Sequence, residues 1–418
     1  VGRGNHRHPT GEQMLRLPPS GDIPAPPHLS RSQPVMAPLP EASPWRWIAV
    51  WQAAGLIEGA DDQTLMASFS FDARRWSQPL DMSDLREHGC LWSPVLHRTR
   101  QRVWLFYSES VSCKRPANKG RGIPTRWSPG GTIKYVQSED GVAWSKPAAV
   151  LEQSRDGGVP KVIANQLLAV GAVDAMGPAR GRWVLPYWQE PPKIDSAARG
   201  CAESASGFSA ALLSGDHGRT WRRSAPVSIR EGFGPTELLE GAVALAGNGT
   251  LLQVFRSQEG ELYRSSSADG GSTWSPAEPL GLPNPNSKAN LINLQGGDGT
   301  KPLLALAYNH NSTQGVRNNL RLAVSRDGGT TWNLVAELEG MAEDDIMMHY
   351  PTMTQEGCRL FITYSAFYRL LPPCAPTNPT CPPTPPRSQT GIRIAEVDLQ
   401  RLDLRDTTRM VLSHYTAD

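Results

Sequence analysis

Ser267-Ala268-Asp269-Gly270-Gly271-Ser272-Thr273-Trp274 decides the fold of this chain. It recurs as Ser325-Arg326-Asp327-Gly328-Gly329-Thr330-Thr331-Trp332 and as Ser214-Gly215-Asp216-His217-Gly218-Arg219-Thr220-Trp221. Shorter relatives run from Ser138 to Trp144 around Asp140, and from Ser70 to Trp76 around Asp72. An Asp side chain can bond the backbone two residues on, and Gly supplies the positive φ of a tight turn. The Trp that follows is apolar with one N–H to satisfy, which suits packing beneath a hairpin. The copies therefore read as one hairpin built five times, at steps of 68, 76, 53 and 58 residues. A period near 50 residues is the signature of a propeller or a solenoid.

Working outward from the repeats, strand-like runs fall into six groups separated by turn residues. The first holds Trp47 to Trp51 and Thr64 to Ser68; the second, Leu91 to Leu96, Val103 to Tyr107 and Ile133 to Val136. The third holds Trp183 to Tyr187 and Ser209 to Leu213, and the fourth Gly241 to Leu245 and Leu251 to Phe255. The fifth holds Leu291 to Leu294, Leu303 to Tyr308 and Leu320 to Val324; the sixth, without a box, Pro351 to Thr354, Leu360 to Tyr364 and Ile392 to Val397. Short strands at this spacing, without helical periodicity, predict an all-β chain. Six blades of four strands account for residues 31–418, with the segment near Pro34 expected to complete the last blade. Residues 1–30, rich in Pro, Gly, His and Arg, read as a disordered lead-in. Lys114 to Pro129 and Leu371 to Pro386 read as insertions.

Composition narrows the function. A formal net charge of +2 across 418 residues gives no reason to expect a nucleic-acid partner. No apolar run is long enough to span a bilayer as a helix. The six cysteines lack zinc-type spacing; Cys374 with Cys381, and Cys90 with Cys113, are candidate disulfides, the alternative being free thiols. The sequons Asn248-Gly249-Thr250 and Asn311-Ser312-Thr313 favour a secreted or extracytoplasmic setting. The chain opens at Val1 without a secretory apolar region, as if a signal were removed or the N-terminus missing.

The repeat is an Asp box, and from about Pro34 to Leu399 the chain resembles the sialidases, which carry Asp boxes on a six-bladed β-propeller. In that family the box lies on the outer rim. The resemblance implies a glycoside hydrolase with three arginines on the substrate carboxylate, a Tyr nucleophile paired with a Glu, and an Asp acid/base. Arginine suits the first task because its planar fork stays charged and matches a carboxylate. A neutral phenol avoids setting a second anion against the substrate's own.

Residue by residue, the resemblance implies Glu240, ahead of the strand Gly241 to Leu245, as the base, and Arg256 as the second arginine. Arg317, in Arg317-Asn318-Asn319-Leu320 before the last box, matches the third. Tyr350, in His349-Tyr350-Pro351, matches the nucleophile. For the first arginine the candidates are Arg31 or a vacant role, since Arg31-Ser32-Gln33-Pro34 is one residue longer than the family pattern. The acid/base falls in Glu58-Gly59-Ala60-Asp61-Asp62, with Asp62 preferred and Asp61 and Glu58 as alternatives. Each also has a plain structural explanation: a strand-edge carboxylate, a surface ion pair, a packed aromatic.

The runs Leu91 to Leu96, Leu282 to Ser287, Tyr308-Asn309-His310 and His349-Tyr350-Pro351 resemble a sialidase-like Asp-box family of bacteria and plants. That likeness implies Asn284, Asn286, Asn309 and His310 on the central face, binding hydroxyls. The expected protein is an exo-sialidase-like hydrolase of a terminal, acidic sugar, acting as a monomer on a glycan without metal or organic cofactor. Its rivals are a non-catalytic carbohydrate- or protein-binding propeller and a hydrolase or lyase for another polysaccharide.

Overall fold

A computed structural model describes residues 21–22, 30–55, 57–115, 125–171, 181–190, 207–247, 249–295, 303–340, 346–368 and 391–400. They form a six-bladed β-propeller without an α-helix among the described residues. The first blade runs Ser30–Pro38, Trp47–Ala54, Thr64–Ser70, Leu80–Asp81 from axis to rim. The second runs Leu91–Arg98, Val103–Glu109, Thr132–Ser138, Ala148–Leu151. In the third, two short inner strands, Lys161–Val162 and Leu168–Ala169, share the partner Trp183–Gln189, followed by Phe208–Ser214 and Arg222–Arg223. The fourth runs Leu239–Gly247, Thr250–Arg256, Glu261–Ser267, Glu278–Pro283, and the fifth Asn290–Leu294, Leu303–Asn309, Leu320–Ser325, Asn333–Glu339. The sixth runs Ile346–Glu356, Arg359–Tyr368, Gly391–Asp398.

Ring closure differs from the sequence expectation. Residues 30–38 are the inner strand of the first blade; the outer strand of the last is Gly21–Asp22, paired with Arg393 and Ile394. The segment around Pro34 instead meets the last blade side by side: Thr363 Oγ1 donates to Pro34 O at 3.1 Å and Thr354 Oγ1 to Met36 O at 2.7 Å. Blades pack face to face with their neighbours, so these middle strands are buried along their whole length and mostly apolar rather than alternating. Each seam has its own core. At the closing seam Trp47, Ala49 and Trp51 pack with Phe361, Ile392 and Ile394, and the Trp47 and Phe361 rings meet edge-on at 4.8 Å.

The five boxes turn between the third and fourth strands. In the fourth blade Ser267 Oγ donates to Asp269 Oδ1 (2.8 Å) and accepts the Gly271 N–H (2.8 Å), while Asp269 accepts the N–H groups of Ser272 and Thr273. Gly271 holds φ 86° with Leu213 of the third blade and Leu251 close by, so the turn wedges into the seam. The shortened copies make the same bonds: Ser138 to Asp140 at 2.9 Å, Ser70 to Asp72 at 3.2 Å.

Of the two readings open for Cys90 and Cys113, their mutual disulfide is not formed. Cys90 is a buried free thiol, whereas Cys113 is disulfide-bonded. Cys374, Cys381, Asn248 and the insertion at Leu371 to Pro386 lie outside the described residues. The base of the other insertion is a strand pair, Lys114–Arg115 with Arg126–Trp127.

Candidate active site

The inner strands share one local device. In the first, second, fourth and sixth blades the register slips where a non-glycine residue takes positive φ: Gln33 (55°), Ser93 (47°), Glu240 (52°) and Tyr350 (58°). Each is a β-bulge, which breaks the pairing and re-aims one side chain. The next residue is Pro34, Pro94, Gly241 or Pro351, which gives up a ladder donor or a side chain where the ladder is broken. All four bulged residues line one axial cavity of about 270 Å³, with Glu58, Trp92, Trp188, Glu190, Glu237, Arg256, Asn286 and Arg317 among its other walls. Asn286, before the inner strand of the fifth blade, also holds positive φ (59°).

Within the cavity the charged groups interlock. Arg256 Nη1 donates to Glu240 Oε2 at 2.9 Å, and its Nε donates to Asn286 Oδ1. Gln33 Nε2 donates to the other Glu240 oxygen at 3.3 Å. Arg317 Nη1 donates to Tyr350 Oη and contacts His349 Nδ1, both at 3.0 Å, and its Nη2 donates to Asn286 O at 3.0 Å. Burial disfavours the Arg256 cation, yet Glu240 lifts its pKa above the ordinary arginine range. Burial pushes the Tyr350 phenol up; Arg317 opposes this, Glu58 and Glu240 reinforce it, and Arg256 opposes it again.

Of the three carboxyls in its turn, Glu58 is the one that lines the cavity. Its turn is fixed by Gly59, whose φ of 86° and contact with Trp92 leave no room for a side chain, and by Trp127 N–H donating to Gly59 O at 2.8 Å. Ser32 Oγ donates to Glu58 Oε1 at 3.1 Å, and Gln52 Nε2 donates to the same oxygen. Burial raises the carboxyl's pKa, with Ser32, then Arg317, pulling against it. Asp62 is exposed and accepts the Gly55 N–H at 2.8 Å, and Asp61 is tied to Lys114 at 2.7 Å and Trp127 at 2.8 Å. Neither lines the cavity.

The structure thus brings Tyr350, Glu240, Arg256, Arg317 and Asn286 together and leaves the other expected residues aside. Arg31 is buried in the first inner strand near Gly391 of the last blade, not on the cavity wall. Asn284 holds a turn by accepting the Ser287 N–H at 2.9 Å. Asn309 staples blades through Asn318 O (2.9 Å) and Met348 O (2.8 Å), and His310 bonds Tyr308 Oη at 2.7 Å. Sequence reasoning missed Gln33 and Ser93 on the wall and ranked Glu58 behind Asp62; the residue-then-Pro pattern at their inner strands was the signal for the first two.

Beneath the cavity lies a polar floor. Asn165 Nδ2 donates to Glu240 O (2.7 Å) and Ala289 O (3.1 Å), and Asn290 Nδ2 donates to Asn165 Oδ1 (2.8 Å). Lys288 Nζ donates to Ala164 O (3.0 Å) and Thr352 Oγ1 (2.8 Å), and burial draws its pKa down to about 7. Four blades are thereby tied across the axis. A second cavity, of about 250 Å³, lies between the first and last blades, lined by Arg46, Arg74, Arg359, Trp47, Phe71 and Asp72. Its arginines are already paired with Glu356 and Glu396, so it reads as a closing seam.

Fold and boxes together define a sialidase-like Asp-box propeller. More particularly, residues 46–362 match the family described as BNR repeat-like domain, and the chain belongs to that family. Solved structures agree in fold. A protein of unknown function from Dyadobacter fermentans aligns with TM-score 0.63 at 16% identity over 91% of this chain and 98% of its own. The Hadza microbial sialidase Hz136 aligns with TM-score 0.62 at 16% identity over 89% of this chain and 66% of its own. The intramolecular trans-sialidase from Ruminococcus gnavus, solved with oseltamivir carboxylate, aligns with TM-score 0.60 at 13% identity over 94% and 99%. No curated protein matched the sequence. No helix among the described residues is long and apolar enough to cross a membrane.

Proposed function

We propose that the protein is a retaining glycoside hydrolase that removes a terminal sugar from a glycan, with Tyr350 as nucleophile, Glu240 as its base and Glu58, in place of Asp62, as acid/base. The observation that carries this reading is the pair of inner-strand bulges that turn Tyr350 and Glu240 into one cavity with Glu58. Tyr350 Oη attacks the anomeric carbon and passes its proton to Glu240. The glycosidic C–O bond breaks and the leaving oxygen takes a proton from Glu58, whose raised pKa suits an acid that must hold a proton. Water then gives its proton to Glu58 and attacks the same carbon, the bond from that carbon to Tyr350 Oη breaks, and Glu240 returns its proton to the departing phenolate, so that all three groups are reset. A Glu240 carboxylate bound to Arg256 must be released in part to act, so the contact to Tyr350 is made as substrate enters.

Arg256 Nη2 and Arg317 Nε make no hydrogen bond among the described residues, which leaves two donors for a substrate carboxylate and supports an acidic sugar. A second reading, a sugar without a carboxylate, is favoured by four wall carboxylates, Glu58, Glu190, Glu237 and Glu240, against two wall arginines. Turnover of a fluorogenic sialoside beside a panel of uncharged aryl glycosides separates the two. On whichever is cleaved, Tyr350→Phe is expected to lose on the order of 10⁴-fold in kcat and Glu240→Gln about 10²-fold or more. Full activity in both variants removes the mechanism, and binding on a glycan array without cleavage of any glycoside indicates a lectin.

A further inference from the structure

We propose that His349 is a positioning residue for Tyr350, acting through Arg317. The proposal rests on the reading of Tyr350 as nucleophile for its catalytic meaning, but its geometry stands alone. Arginine has donors only, so the 3.0 Å contact between Arg317 Nη1 and His349 Nδ1 makes Nδ1 the acceptor. The ring is then neutral with its proton on Nε2. Nη1 carries a second hydrogen, and this one is donated to Tyr350 Oη at 3.0 Å. With Nη2 held by Asn286 O, the guanidinium is pinned at three points and cannot swing off the phenol.

His349 is 1% exposed and does not line the cavity; its ring lies 4.1 Å from that of Tyr350, so the two cannot turn independently. Among the described residues, the charged groups that lower the His349 pKa, after burial, are the cations Arg317, Arg256 and Lys288; they hold it well down and keep Nδ1 an acceptor. Those facing Tyr350 are Arg317 and Arg256 on one side and Glu58 and Glu240 on the other. Of the two cations, Arg317 is the one that bonds the phenol oxygen, and an N–H donated to that oxygen stabilises it more strongly as its proton leaves. His349 is thus the reason that Arg317, elsewhere expected only to bind substrate, also serves the nucleophile.

The test uses the full chain labelled at tyrosine Cζ and histidine nitrogen, with Tyr350 assigned by Tyr350→Phe. In the parent, nitrogen NMR is expected to show His349 Nδ1 bare and Nε2 protonated near neutral pH. In His349→Leu the onset of Tyr350 ionisation is expected to rise by about one pH unit. His349→Asn, which keeps an acceptor at the δ position, restores the parent value. Arg317→Met gives the same rise, and adding His349→Leu to it moves the onset no further. A proton on Nδ1, or an unchanged Tyr350 titration in His349→Leu, overturns the proposal. Should the Leu variant fail to fold, the parent tautomer and the Asn variant decide it. Turnover is not read, so a protein without activity still tests the proposal, and an active Tyr350→Phe would sink the nucleophile reading alone.

Discussion

Glu58, the proposed acid/base, shows how a carboxyl placed on a cavity wall also weakens the fold. Its folded pKa lies above the ordinary value, chiefly because burial penalises the anion. Its stabilising contribution is therefore complete below the unfolded pKa and is lost as pH rises through the folded one. Glu58→Gln keeps an acceptor for Ser32 and Gln52. It is expected to melt at a higher temperature than the parent at pH 8 and at the same temperature at pH 4; an equal gap at both pH values would show that the group does not titrate as described. The same variant should lose about 10²–10⁴-fold on substrates with poor leaving groups, together with the alkaline limb of the pH profile. Sequence could place an acid in Glu58-Gly59-Ala60-Asp61-Asp62 but not choose among its members. Which carboxyl faces the axis is set by Trp92 and Trp127, contacts from distant strands pressing on Gly59.

At the scale of the element, the bulge and the box divide the work between axis and rim. A non-glycine residue held at positive φ costs about 1 kcal/mol. Ser93 is the simplest place to recover that cost, since its N–H, not its side chain, makes the bond to Gln52. Ser93→Gly should raise stability by about 1 kcal/mol in denaturant unfolding; a loss instead would mean that the hydroxyl packs rather than merely lines the wall. On the rim, partial burial would raise the Asp327 carboxyl, but Thr331 and Ser325 donate to it and bring it down to about 2; Asp216, bonded first by Thr220, also falls to about 2. Depressed carboxylates stabilise above their unfolded pKa and lose that contribution as pH falls through the folded one. Melting temperature should therefore drop between about pH 4 and pH 2, and less steeply in Asp327→Asn. The boxes were legible because each is one contiguous stretch whose own atoms satisfy it. The bulges were half legible: Tyr350 and Glu240 stood out, whereas Gln33-Pro34 and Ser93-Pro94 looked like ordinary strand entries. Asn309 and His310 misled because a polar side chain at a strand end can as well staple two blades as face the axis.

At the scale of the whole molecule, every blade leans on two neighbours, and the closing seam joins residues more than 300 positions apart. Trp47, fully buried there, is expected to cost about 3–5 kcal/mol when replaced by Ala, the usual loss for an emptied aromatic site. Because the seams are shared, calorimetry should show the ring unfolding in one transition in both proteins. A separate low-temperature transition in Trp47→Ala would indicate blades that fold independently. Neither the Gly21–Asp22 strand nor the closing contact was legible locally, since each depends on a partner at the far end of the sequence. The floor of Asn165, Asn290 and Lys288 has a mechanical corollary. On the proposed glycoside-hydrolase reading, cross-links that span four blades favour a loose chain end over an internal stretch of polymer as the part of the substrate admitted.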